Sequence, residues 1–195
     1  MDDLAGLSTE NLNIRYLAWK EESNPDRWVN LLRKKAGLTE KAAKATLDGA
    51  QLTGKDRAAI IEGFGIDGDE LGTARLFGLS SEEILIENIR YLINSLPKGE
   101  KQTMAGAVQV AKESVSRWAT GKNPPSPQNI QQILQYLKLD PGVNLYEVPL
   151  FLSLRPIGHF AQREWLQKQV ASLPSEELSK LFPALEKMFD HHEDS

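Results

Sequence analysis

The sequence predicts an all-α fold, and three observations lead there. Apolar residues recur at helical spacing through most of the chain, capping residues and stop glycines bracket those stretches, and period-2 alternation is nearly absent. Only Val148 to Leu154 is open to an extended reading, and Pro149 inside it would confine it to an edge or a loop. With 195 residues, 41% of them hydrophobic and 26% charged, the chain suffices for one large or two small globular domains. It has no cysteine, which excludes disulfides and thiolate metal sites. No signal-like start and no apolar run of about 18 residues is present, so the expected location is cytoplasmic, without a membrane span.

The elements come in two sets. Asn13-Ile14-Arg15-Tyr16-Leu17 recurs unchanged as Asn88-Ile89-Arg90-Tyr91-Leu92, 75 positions later. Downstream, Leu32 and Gly37 correspond to Met104 and Gln109, and Asp48-Gly49 to Thr120-Gly121, now at an offset of 72. The second copy is thus three residues shorter, and the extra residues of the first fall around Lys20 to Pro25. A further helical stretch follows in each copy, Asp56 to Phe64 and Pro127 to Leu137.

Local chemistry supports these helices. Asn24-Pro25 and Ser126-Pro127 each place a capping side chain before a proline at the first helical position. Ser80 with Glu83 has capping-box spacing, and Thr53 with Asp56 is a looser version. Gly37, Gly49 and Gly121 fall where helices should stop, because glycine reaches the left-handed conformation without a side-chain clash. The acidic stretch Asp67 to Glu87, with Gly68, Gly72 and Gly78, reads either as a hinge or as part of the first module's last helix. The expected organisation is a first module over 9–78, a second over 80–145 and a C-terminal amphipathic helical tail over 146–195.

Charge is unevenly placed. The net −4 counts against binding to a polyanion, yet residues 24–62 and 98–125 each carry +3, separated by an acidic block of −4 over 63–97. A local patch matters more to a phosphate than the total does.

The second basic block contains KQTMAGAVQVAKESVSRWATGKNPPS, from Lys101. Met104, Ala105, Val108, Val110, Val115 and Trp118 are spaced so that helices over about 101–108 and 112–119 bury one face between them, the helix-turn-helix pattern. Met104, Ala105, Val110, Val115, Trp118, Gly121 and Lys122 resemble, in register, the lambda-repressor-like, Cro-type (XRE) helix-turn-helix family. The resemblance covers about residues 84–140. It implies a recognition helix whose Ala111, Lys112, Glu113, Ser116 and Arg117 face base edges in the major groove, with Lys101, Gln102, Thr120, Lys122 and Asn123 toward phosphates. Gln109 stands where the family usually has a turn glycine, and Asn94 and Ala119 where many members bury an Arg–Glu pair. Positive φ at Gln109 and the absence of that brace are therefore expected.

The first copy keeps the spacing and the turn glycine but turns Glu40, Lys41, Lys44 and Ala45 outward, and its alanine run offers bases at most a methyl contact. Its candidate DNA contacts are Arg33, Lys34, Lys35, Glu40, Lys41 and Lys44, a set suited more to phosphate than to base readout. Two readings stand open: both modules engage neighbouring DNA segments, or the first has become a packing or partner surface.

In the tail, Leu166, Val170 and Leu173, then Leu178, Leu181, Leu185 and Met188, form an apolar stripe that must bury against the chain's own modules or a second copy. Pro183 would kink or restart the helix, which argues against one uninterrupted coiled coil. His191 and His192 lie at an acidic end and do not read as metal ligands, and isolated His159 reads as a capping or packing residue. No nucleophile elbow, phosphate loop or zinc-protease spacing is present, so neither an enzyme nor a cofactor is expected. The expected function is sequence-specific binding of double-stranded DNA as a bacterial or phage-type transcriptional regulator, a repressor acting as a homodimer through the tail. The competing expectation is a protein-interaction module on the same scaffold, such as an antitoxin or anti-repressor.

Overall fold

The computed structural model describes residues 3–190, with side chains through 187; His191 and His192 lie outside the described residues. The described chain is all-helical, with eleven α-helices and no strand. The first repeat comprises α1 (Thr9–Glu21), α2 (Trp28–Ala36), α3 (Glu40–Leu47), α4 (Gly54–Phe64) and the short α5 (Glu70–Thr73), closed by a 3-10 turn over Arg75–Gly78. The second comprises α6 (Ser81–Asn94), α7 (Glu100–Ala107), α8 (Lys112–Ala119) and α9 (Pro127–Tyr136), closed by a 3-10 turn over Leu150–Leu152. The tail is α10 (Gly158–Ser172) and α11 (Ser175–Asp190).

The caps form as their chemistry predicts. Ser80 and Glu83 make a full capping box at α6, Ser126 caps α9 with Pro127 in its first turn, and Thr39 and Thr53 cap α3 and α4. Asn24 and Pro25 open a 3-10 turn that leads into α2. Gly37 ends α2 at φ 64°, and Gln109 takes the equivalent turn at φ 57°, so the second repeat does hold a side chain in the left-handed region.

Each repeat has its own core. Leu12, Ile14, Trp28, Leu32, Leu47 and Ile60 fill the first; Leu85, Ile89, Met104, Val115, Trp118 and Ile133 fill the second. A polar device recurs with the sequence repeat. Asn13 Nδ2 donates to the carbonyls of Leu71 and Ala74, at 2.9 and 2.8 Å, and Asn88 Nδ2 donates to those of Leu145 and Val148, both at 2.8 Å. Each asparagine thereby draws the segment after the fourth helix back onto the first.

The stretch around Pro149 is not extended. It forms the 3-10 turn of residues 150–152, because the Asn88 side-chain Oδ1 accepts from Phe151 N–H and Leu150 is buried in the second core. Leu145, Leu150 and Ile157 all belong to that core, so the second repeat continues past residue 145. Phe151 and Leu152 cross over and pack in the first core.

Arg15 locks the same junction. It is 1% exposed; Nε and Nη2 donate to the Leu47 carbonyl at 2.8 and 2.6 Å, and Nη1 donates to the Leu152 carbonyl at 2.9 Å and to Asp3 at 3.3 Å. Asp3 also accepts from Ser153 Oγ and Leu154 N–H. Burial lowers the Arg15 pKa from its usual value, and the Asp3 carboxylate opposes that shift. The guanidinium stays tolerable inside because its donors are met by carbonyls and a carboxylate.

The tail differs from expectation at one point: α11 runs through Pro183 rather than restarting there. Pro183 and Ser179 are both exposed, so water can take the Ser179 carbonyl that loses its backbone donor. His159 holds α10 to the end of α9, its Nδ1 3.0 Å from the Leu137 carbonyl and its ring against Phe160. No helix among the described residues is long and apolar enough to cross a membrane.

Candidate nucleic-acid interface

The second repeat builds its outer surface from the core outward. Val115 and Trp118 of α8 are buried against Met104, Ala105 and Val108 of α7 and its last turn. Val115 and Trp118 set the inward face, so Glu113, Ser116 and Arg117 lie on the opposite side of the helix and Lys112 on its flank, one turn before Val115; all four are exposed. Ala111 is the N-cap and is exposed; it makes no side-chain cap, so the first amides of α8 carry no side-chain acceptor there.

Charges on this face are uncommitted. Among the described residues, Lys112, Glu113, Arg117 and Lys122 take part in no ion pair, although Glu113 and Arg117 lie four residues apart. Gln102, Thr120, Lys122 and Asn123 are exposed near the two ends of the helix pair. The Thr120 hydroxyl donates to the Ser116 and Arg117 carbonyls, which spends its proton on the end of α8 and leaves it only acceptor capacity. Lys101 is half-buried and donates to Asn94 Oδ1 at 2.7 Å, so it is held in place rather than free.

Asn94 and Ala119 are joined by a brace of their own. Asn94 Nδ2 donates to the Ala119 carbonyl at 3.0 Å, so α6 grips the end of α8 between the same two positions by a side-chain-to-backbone bond. Asn94 therefore ties both Lys101 and the end of α8, a role with no mark in the sequence beyond its place in the repeat.

The first repeat presents a quieter surface. Lys44 is paired with Glu40 at 2.6 Å, and Lys35 with Glu21 while its ammonium lies 5.2 Å from the Phe64 ring centre. The Lys44 hydrogen bond, and then its charge, hold the Glu40 carboxyl below its usual range. Arg33 reaches Asn30, and Arg33, Lys34 and Lys41 remain exposed and outside the ion pairs among the described residues. Ala42 and Ala45 are half-buried, which leaves little side chain on α3 for a base to meet.

No family model matches the chain, and no curated protein or solved structure matches it significantly. The chemistry of the surface must speak for itself. It offers two cationic side chains, one carboxylate and one hydroxyl on a single exposed stripe of a helix held rigidly from behind, with Lys122 and Asn123 just beyond. Such a set can donate to guanine O6 and N7, accept from cytosine N4 and neutralise phosphates. No group of three metal-ligating residues exists among the described residues.

Proposed function

We propose that the chain is a sequence-specific, double-stranded-DNA-binding transcriptional regulator of bacterial or phage repressor type, built on two tandem helix-turn-helix modules and reading its site with α8. The observation that carries this reading is the contrast between two equivalent helices. On α8, Lys112, Glu113, Ser116 and Arg117 are exposed and its charges unpaired; on α3, Glu40 and Lys44 neutralise one another. A charge on α8 can turn toward a base edge without breaking an existing pair, whereas Lys44 must first leave Glu40, a small further cost at an exposed pair. The local +3 of residues 98–125 supports phosphate contact in spite of the net −4.

In this reading Lys112 and Arg117 read bases, Glu113 and Ser116 add acceptor and hydroxyl contacts, Ala111 approaches through its methyl, and Gln102, Lys122 and Asn123 meet phosphates. Lys101 joins them with the ammonium protons Asn94 leaves unused, and Thr120 only by turning its hydroxyl off the Ser116 and Arg117 carbonyls. Arg33, Lys34 and Lys41 of the first module add phosphate contacts without readout. The tail completes a homodimer: Leu166, Leu181 and Phe182 are about half exposed on α10 and α11, at 50%, 46% and 57%, apolar surface that a second copy of the tail would cover. The protein works in the cytoplasm, without cofactor or catalysis.

Selection from random duplexes, followed by binding at two salt concentrations, tests this. The expected result is an enriched motif, a steep salt slope, and a loss of about 1–3 kcal/mol of discrimination per contact in Lys112→Ala with Arg117→Ala. Lys122→Ala weakens all sequences alike. No enriched motif, or a double variant that binds the selected site as wild type does, overturns the reading and leaves the interaction-module alternative, which the internally paired α3 surface favours.

A further inference from the structure

A cleft of about 500 Å³ opens where α1, α6 and α10 meet, within the size range of small-molecule sites. Its walls include Trp19, Arg90, Tyr91, Asn94, Arg155 and Trp165, so it draws on both repeats and the tail.

Its chemistry is specific. Trp19 is a fixed wall: its indole donates to Glu87 at 2.9 Å and its ring packs on Tyr91 and Phe151, at 5.8 and 5.5 Å between centres. Trp165 faces the same space from α10 and is 49% exposed, a large ring without a partner. Arg90 spends Nη1 on Glu87 at 2.6 Å, but its side chain is 40% exposed, and neither its Nη2 nor the exposed Arg155 guanidinium has an acceptor among the described residues. An exposed guanidinium donor can exchange water for a carboxylate oxygen in a charge-assisted bond of fixed geometry. The charged lining residues are Arg90, Arg155 and Lys168 against Asp26 and Glu164, and Lys168 is already paired with Glu164 at 2.9 Å. Arg90 is likewise paired with Glu87 at 2.6 Å, so Arg155 and Asp26 are the lining charges outside the ion pairs of the described residues.

Two residues of this wall also hold the end of α8. Asn94 bonds the Ala119 carbonyl, and the stem of Arg90 lies so close to Gly121 that a Cβ there would sit 2.7 Å from Arg90 Cδ. A group drawn to Arg90 or Asn94 therefore acts directly on residues 119–122.

We propose that this cleft binds a small aromatic carboxylate, its carboxylate taken by Arg90 and Arg155 and its ring held between Trp19 and Trp165, and that occupation moves the end of α8. An effect on DNA rests on the reading of α8 given above; binding of the ligand does not.

The test uses the full chain. Indole-3-acetate and 4-hydroxyphenylacetate are titrated by calorimetry, with neutral indole and cationic tryptamine as controls, and amide resonances are followed by NMR. At least one of the two carboxylates saturates with a Kd below about 1 mM. The controls bind about tenfold more weakly, and Arg155→Gln and Trp165→Ala, both at exposed side chains, each weaken it by about tenfold. Amides of residues 119–122 shift on saturation. No saturation by either carboxylate, tryptamine binding as tightly as indole-3-acetate, or indifference to both substitutions overturns the site. Saturation with unmoved 119–122 amides overturns its coupling to α8. Ligand binding by a chain that selects no DNA motif would sink the DNA reading alone.

Discussion

Asn13 and Asn88 stand at equivalent places 75 positions apart, and each grips two carbonyls of the segment that closes its repeat, but only Asn88 also accepts a bond, from Phe151 N–H at 3.2 Å. The Asn13 side-chain oxygen Oδ1 is buried without a partner among the described residues. Substitution by alanine should cost about 2–4 kcal/mol at either site, because two buried carbonyls lose their donor, and about 1 kcal/mol more at Asn88. Urea unfolding of the two variants checks both the size and the order.

Gln109 holds φ 57° where Gly37 holds 64°. Gln109→Gly removes side-chain strain but adds freedom to the unfolded chain, so the expected gain is small, up to about 1 kcal/mol, whereas Gly37→Gln should lose about that much. Thermal melts at one protein concentration read the opposite signs.

Trp118 and Lys112 separate folding from recognition on one helix. Trp118 is 5% exposed, and Trp118→Ala should cost about 3–5 kcal/mol of stability. Exposed Lys112→Ala should change stability by no more than about 0.5 kcal/mol, so any loss of DNA affinity in that variant is a loss of contact. Paired denaturation and binding measurements make the comparison.

Tyr91 makes the fold sensitive to alkali. Burial pushes its phenol up to about 12 from the ordinary 10.0, with Asp3 and Asp26 adding and a hydrogen bond from Ile157 opposing. A raised pKa favours the neutral form in the folded state, so this contribution is complete below pH 10 and fades as pH climbs toward 12. Wild type should lose about 1 kcal/mol more than Tyr91→Phe between about pH 9 and about pH 11. Urea midpoints at the two pH values give the difference.

Much of the fold is legible because its signals are local. Ser80 and Glu83, Ser126 and Pro127, and the stop at Gly37 each act within one turn of chain, and each appears where sequence places it. The exposed stripe of α8 follows from two anchors, Val115 and Trp118, whose inward placement turns Glu113, Ser116 and Arg117 to the opposite side. What stayed hidden depends on partners far along the chain. Arg15 and Arg90 share one repeated pentapeptide, yet Arg15 is buried on the carbonyls of Leu47 and Leu152 while Arg90 lies against Gly121 and borders a cleft. Backbone carbonyls carry no residue label, so no spacing rule could point to them. Pro149 suggested an edge, but burial of Leu150, Phe151 and Leu152 decided that segment.

The crossing of Phe151 and Leu152 into the first core has a consequence for how the protein is made. The N-terminal repeat lacks two of its buried side chains, and Arg15 lacks an acceptor, until residue 152 has emerged from the ribosome. At roughly 5–20 residues per second, the first repeat waits several seconds for the second after its own helices are out. The two repeats thus mature together, and a nascent chain halted between them exposes an incomplete core to chaperones and proteases.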